Sequence, residues 1–70
     1  MNNPANDTNY TVQVRMSDGS IKTTDEWFSK GVAQRIANKA IEFRKTVANS
    51  KVTAIEVVDF DGNQVSVVKF

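Results

Sequence analysis

The chain has 70 residues, neither cysteine nor histidine, and a formal net charge of +1. A chain of this length forms one domain and buries only roughly 60% of the surface that its unfolded form exposes. Disulfides and thiolate–metal bonds cannot add to this small core, and the usual general base and thiol nucleophile are missing. We therefore expect no enzymatic activity, no cofactor and no bound metal.

Residues 1–8 are expected to form a disordered N-terminal tail, and residues 9–70 a single ββαββ domain. The tail sequence, MNNPANDT, contains almost nothing to bury. It has neither the basic nor the apolar region of a secretion signal, and no apolar run approaches the ~20 residues that cross a bilayer. We therefore expect a cytoplasmic protein without membrane association.

The segment 10–16 alternates apolar and polar residues, with the period of a half-buried strand. Asp18-Gly19 follows, and Asp-Gly between two such runs is typical of a two-residue hairpin turn. That turn pairs Met16 with Ile21, Arg15 with Lys22 and Val14 with Thr23. A slip by one residue would place Lys22 beside Val14 in the core, so the pattern favours the two-residue turn.

The connection 24–28 has two interpretations. It either finishes the second strand or makes a short helical turn, with Thr23 and Glu26 at the spacing of a capping box. Trp27 and Phe28 are adjacent, so their side chains point in different directions. One of them caps the core, and the other is packed as well or is exposed and suited to binding.

Apolar residues then recur at helical spacing from Ser29 to Ala48, which predicts an amphipathic helix of about five turns. Ser29 is the expected N-cap, and Asn49 is expected to end the helix because Asn tolerates the left-handed conformation. The apolar stripe consists of Ala33, Ile36, Ala37, Ala40, Phe43 and Val47. Its alanines let the helix approach a sheet closely, while its larger residues fill the space beside them.

The second hairpin has a different turn signal. Asp59-Phe60-Asp61-Gly62 has Asp at the first and Gly at the fourth position of a type I turn, followed by a left-handed bulge at Gly62. The predicted pairs are Asp59 with Asn63, Val57 with Val65, and Ile55 with Val67. The acidic residues of this turn do not have calcium-loop spacing, because Gly62 directly follows the second Asp and no bidentate Glu comes at the required distance.

Together these elements predict a two-layer α+β fold, with a four-stranded antiparallel sheet in the order 2-1-3-4 and one helix packed on one face. The face without a helix is then free to bind a second molecule. The candidate protein-interface residues are Val52, Ala54, Val58, Val68, Phe70 and Trp27. We expect a small non-enzymatic protein-interaction module that forms a homodimer through the open sheet face or an edge strand, or that binds another protein.

Charge is distributed unevenly along the chain. Residues 30–51 carry six basic residues and one acidic residue (+5), and the remainder carries three basic and seven acidic residues (−4). The alternative function is nucleic-acid binding through Arg35, Lys39, Lys45 and Lys51. If they do not bind nucleic acid, these cations belong to the solvent-exposed side of the helix. The absence of aromatic residues between them favours that structural role.

Arg44 lies within the apolar stripe of the predicted helix. In the last turn the helix dipole favours a cation, and the long stem of Arg can cover apolar surface. The residue either has this structural role or anchors a partner.

In size and in the order of its elements, with an Asn-rich start, the chain resembles many small phage-encoded proteins, including some anti-CRISPR inhibitors. This resemblance implies a small inhibitor or accessory protein as a further alternative. It rests on architecture and size, so it assigns no residue a role.

Overall fold

The computed structural model describes residues 8–24 and 26–70. They form strands β1 (Tyr10–Met16) and β2 (Ile21–Thr23), helix α1 (Lys30–Lys45), and strands β3 (Val52–Asp59) and β4 (Gln64–Lys69). The sheet order is β2-β1-β3-β4, and every neighbouring pair is antiparallel. The predicted α+β architecture and strand order are therefore confirmed. Residues 1–7 of the expected tail lie outside the described residues.

The core lies between α1 and the two central strands. Ala33 and Ala37 are completely buried and pack against Val12, Ile55 and Val57. Partly buried apolar residues surround this cluster: Tyr10, Val14, Phe28, Ile36, Ala40, Ile41 and Val52. A methyl side chain keeps the helix backbone near the sheet, so the alanine strip has the structural role that the sequence predicts.

The helix begins where the sequence predicts and ends earlier. The Ser29 hydroxyl accepts a hydrogen bond from the Val32 N–H at 3.4 Å, which makes Ser29 the N-cap. The helix ends at Lys45, with Thr46 as C-cap, and the Thr46 hydroxyl donates to the Phe43 carbonyl at 2.7 Å. Such a local bond competes with continuation of the helix. The predicted end at Ala48 and left-handed Asn49 is wrong, since no described residue other than glycine has a positive φ.

Two residues of the predicted apolar stripe lie outside the core. Phe43 is 71% exposed, and Val47 is exposed as well. The helix meets the sheet along the line through Ala33 and Ala37. At 100° per residue, Phe43 lies about 80° around the helix from Ala33 and about 120° from Ala37, so its side chain points away from that line. Val47 lies beyond the last turn. The predicted core role of Phe43 and Val47 is therefore wrong.

The first hairpin uses a type I turn with a glycine bulge instead of the predicted two-residue turn. The Gly19 N–H donates to the Met16 carbonyl at 3.0 Å, the Met16 N–H donates to the Ser20 carbonyl at 2.9 Å, and Gly19 has φ +90°. The predicted turn needs positive φ at Asp18 too. Asp18 does not have it, and its carboxylate instead accepts hydrogen bonds from the Ser20 N–H and hydroxyl.

This turn moves the register of β1 and β2 by one residue. The pairs are Gln13 with Thr23, Val14 with Lys22, and Arg15 with Ile21. The predicted register is therefore wrong, and Lys22 does lie beside Val14. Its charge is tolerated because β2 is a short edge strand whose three residues are all exposed.

The second hairpin has the predicted turn and an unpredicted bulge. The Asp59 N–H donates to the Asn63 carbonyl at 2.9 Å, and Gly62 has φ +86°. Val58 pairs with Gln64, but Val57 pairs with Ser66 and Ile55 with Val68, which leaves Val65 as an extra residue. The predicted pairs of Val57 with Val65 and of Ile55 with Val67 are therefore wrong, because a bulge turns the following side chains to the other face.

The connection before the helix makes one isolated bridge to β1. The N–H and carbonyl of Phe28 bond to the carbonyl and N–H of Tyr10, at 2.6 and 3.0 Å. Phe28 packs against the core, whereas Trp27 is 42% exposed. The second strand ends at Thr23 and Phe28 makes an isolated bridge, so residues 24 and 26–28 show neither a continued second strand nor a helical turn.

Candidate interaction surfaces

The six predicted interface residues do not share one face of the sheet. Ala54 and Val58 face away from the helix and are buried. Val52 packs against the core, and Val68 stands opposite Ile55 on the helix side. Phe70 lies against Arg44. The prediction of one open apolar face is wrong, because register shifts in β3 and β4 turn part of each strand over.

On the sheet face opposite the helix, a network of hydrogen-bonded polar side chains occupies the centre. The Glu56 side chain is only 1% exposed, and its carboxylate accepts from Arg15 Nε at 3.1 Å, Arg15 Nη2 at 3.4 Å and Gln64 Nε2 at 3.0 Å. Thr11 is buried on the same face, and its hydroxyl donates to the Glu26 carbonyl at 3.0 Å. The chain therefore covers the centre of this face with its own side chains.

An exposed aromatic pair lies at the end of the sheet beside the β3–β4 turn. The ring centroids of Trp27 and Phe60 are 5.2 Å apart, with 54° between the ring planes. Trp27 is 42% exposed and Phe60 68%. Packing between the rings leaves a large part of both available to solvent, so this aromatic pair is one candidate interaction surface.

Acidic residues flank the aromatic pair. Glu26 precedes Trp27, and Asp59 and Asp61 enclose Phe60 in the chain. Asp59 Oδ1 accepts from the N–H groups of Asn63 and Asp61 at 2.8 and 2.9 Å. The backbone hydrogen bond from Asn63 lowers the pKa of Asp59, which keeps its carboxylate charged.

Strand β4 forms the longer edge of the sheet. It has six residues, while β2 at the other edge has three. The Phe70 N–H donates inward to the Thr53 carbonyl at 2.9 Å. Antiparallel strands alternate inward and outward hydrogen-bonding residues, so Val67 and Lys69 direct their N–H and carbonyl groups outward. The side chains of Val65, Val67 and Val68 are exposed along this edge.

Arg44 is held within its own chain. Its Nε donates to the Val52 carbonyl at 2.9 Å, and its guanidinium lies 4.6 Å from the centroid of the Phe70 ring. This contact is a cation–π interaction that joins the last turn of the helix to the sheet. The structure thus gives Arg44 the structural role among the two predicted from the sequence.

The four predicted nucleic-acid contacts are all exposed. Arg35 and Lys39 are one helical turn apart, Lys45 Nζ lies 3.8 Å from Glu42 Oε2, and Lys51 precedes β3. The cations therefore reach solvent from the helix and the following loop, and one of them is paired with an acid.

The residues that the structure describes offer neither a metal site nor a membrane span. In those residues no group of three or more His, Cys, Asp or Glu side chains is placed to hold a metal ion, and no helix is long and apolar enough to cross a membrane. Comparison of the chain with protein-family models, curated proteins and solved structures found no match. The candidate functional features of the described residues are therefore the β4 edge, the aromatic pair and the exposed cations.

Proposed function

We propose that this protein is a small non-enzymatic interaction module that forms a homodimer by pairing the β4 strands of two copies. The exposed backbone edge of β4, lined by Val65, Val67 and Val68, carries the proposal. Unpaired N–H and carbonyl groups on an edge are a template for another strand unless the edge is short, charged or covered. Valine also strongly favours strand structure.

The distribution of charge favours antiparallel pairing. Lys69 is the one charged residue of β4. When two copies pair antiparallel about Val67, the two Lys69 positions lie four residues apart, or about 14 Å at ~3.4 Å per residue. That distance exceeds the Debye length of about 8 Å at physiological ionic strength, so their repulsion is largely screened. Parallel pairing would place the two lysines side by side.

The β4 edge is a better interface than the sheet face opposite the helix. The centre of that face is occupied by Glu56 and the side chains that cover it, so a partner finds little apolar surface there. The β2 edge is less suitable, because it is half as long and carries Lys22 among its three residues. Among the described surfaces, β4 offers the most extended backbone.

The test is sedimentation equilibrium of the wild-type chain and two variants. Val67→Pro removes an outward N–H without removing a bond to β3, so the fold should persist, as circular dichroism would verify. Ile21→Lys changes an exposed apolar residue on the other edge and serves as the control. We expect dimers for the wild type and Ile21→Lys, and monomers for Val67→Pro. A monomeric wild type, or equal dissociation of both variants, would contradict the proposal.

Nucleic-acid binding remains the second candidate function, and the exposure of Arg35 and Lys39 one turn apart supports it. Binding through these cations should weaken steeply with added salt because counterions are released. Fluorescence anisotropy with labelled DNA and RNA at low ionic strength tests it, with an Arg35→Ser/Lys39→Ser variant as comparison. The absence of salt-sensitive binding would exclude this role.

A further inference from the structure

We propose that Trp27 and Phe60 form the docking site for a lysine- or arginine-rich segment of a partner protein. The pair lies at the β3–β4 turn and is separate from the outward backbone groups of Val67 and Lys69. The proposal therefore goes beyond the homodimer and does not depend on it.

The position of Phe60 favours a binding role. Phe60 occupies the second position of a type I turn, where the backbone accepts most residue types. Its ring is 68% exposed, so it adds little to the core, and its described aromatic neighbour, Trp27, is itself 42% exposed. A polar residue would serve the turn equally well. Large aromatic side chains in such exposed positions commonly anchor protein interfaces.

The charged residues next to the aromatic pair indicate which kind of partner can bind there. Glu26, Asp59 and Asp61 are chain neighbours of the two aromatic residues, while Lys30 is the nearest cation along the chain. The carboxylate of Asp59 stays ionised because the turn donates hydrogen bonds to it. Cations are attracted both to carboxylates and to the faces of aromatic rings within about 6 Å. A basic segment fits both features, whereas an acidic segment would be repelled.

Trp27 provides a direct reporter, because it is the one tryptophan in the sequence. The experiment titrates the full chain with an oligo-arginine peptide and follows tryptophan emission, with an oligo-glutamate peptide as the negative control. We expect a saturable emission change with oligo-arginine that weakens with added salt. Absence of that change, or an equal change with oligo-glutamate, would overturn the proposal.

Matched variants distinguish binding at the aromatic pair from nonspecific electrostatic attraction of the peptide to the chain. Phe60→Leu should weaken binding by about twofold to fivefold, the loss typical of one exposed cation–π contact. Phe43→Leu removes an equally exposed aromatic ring on the helix and should leave the affinity unchanged. Asp61→Lys should weaken binding more than Glu42→Lys, which reverses an exposed charge on the helix. Equal effects within either pair would overturn the proposal.

The same titration on Val67→Pro distinguishes this site from the homodimer. Binding of oligo-arginine should persist in that variant, because Val67 lies in the strand and not in the turn. The emission of Trp27 is also measured while the chain alone is diluted. A change on dilution would show that a second copy of the chain covers the site. That result would overturn docking of a basic partner segment.

Discussion

Glu56 and Arg15 are a charge pair with unequal burial. The Glu56 side chain is 1% exposed and that of Arg15 is 46% exposed. Loss of the arginine therefore leaves a buried carboxylate whose remaining side-chain donor, among the described residues, is Gln64. Loss of the glutamate leaves a cation that already reaches water. A buried polar group without its partner lowers the stability of the fold, whereas an exposed one is solvated by water and has little effect.

We therefore predict asymmetric costs for the two single substitutions. Arg15→Met, which keeps the covering stem, should lower the free energy of unfolding by about 1–3 kcal/mol. Glu56→Met should cost less, because an apolar side chain of similar volume replaces the buried charge. Urea denaturation measures both, with Lys39→Met as an exposed control. A larger cost for Glu56→Met than for Arg15→Met would contradict this interpretation.

Asp59 makes the stability of the second turn depend on pH. Its pKa is lowered from 3.8 chiefly by the backbone hydrogen bond from Asn63, so the folded state favours the charged form. Its contribution is present above the unfolded value of 3.8 and is lost as the pH falls through the lower folded value. The destabilisation caused by Asp59→Ala should therefore shrink as the pH decreases across this range.

Urea midpoints for the wild type and Asp59→Ala between about pH 6 and pH 2 would test the prediction. Asp61→Ala is the matched control, since no described residue donates a hydrogen bond to the Asp61 carboxylate. A difference between wild type and Asp59→Ala that stays constant with pH would exclude this role for Asp59.

The contact of helix and sheet depends on very small side chains. Ala37 is completely buried against the core, so a larger side chain there must displace the helix or its neighbours. Ala37→Leu should lower the free energy of unfolding by about 1–3 kcal/mol through overpacking. Lys39→Leu is an exposed substitution in the same helix and should change it by less than about 0.5 kcal/mol. Chemical denaturation compares the two.

The sequence predicts the existence and order of the elements better than their registers. Asp-Gly marks both turns and helical spacing marks α1, because these are local properties of the chain. The bulge at Val65 is not local, since it depends on how β4 meets β3. That one extra residue puts Val68 on the helix side, and it is a main reason why the predicted open face was wrong.

The candidate sites were predictable to different degrees. Trp27 was a candidate from its residue type, but Phe60 comes from a turn 33 positions further along the chain and has no local signal that pairs it with Trp27. The Arg15 and Glu56 pair was missed for the same reason. An edge strand was among the predicted interfaces, whereas its identity as β4 needed the lengths of both edges.

For the whole molecule, the proposed homodimer makes stability depend on protein concentration. A tenfold increase in concentration changes the free energy by about 1.4 kcal/mol for each pair of chains. For a domain of this size, the thermal midpoint should rise by roughly 3–5 °C. Thermal unfolding of the wild type at several concentrations measures the slope, and Val67→Pro should show none. A midpoint independent of concentration in the wild type would argue against linked folding and assembly.

The shortness of β2 limits how far such an assembly can grow. Once two β4 strands are joined, the continuous sheet ends on both sides in a three-residue strand that carries Lys22. A third chain would find too few backbone groups there and a repeated positive charge. In the proposed homodimer, polymerisation into filaments is thus disfavoured, and growth should stop at a discrete particle of eight strands.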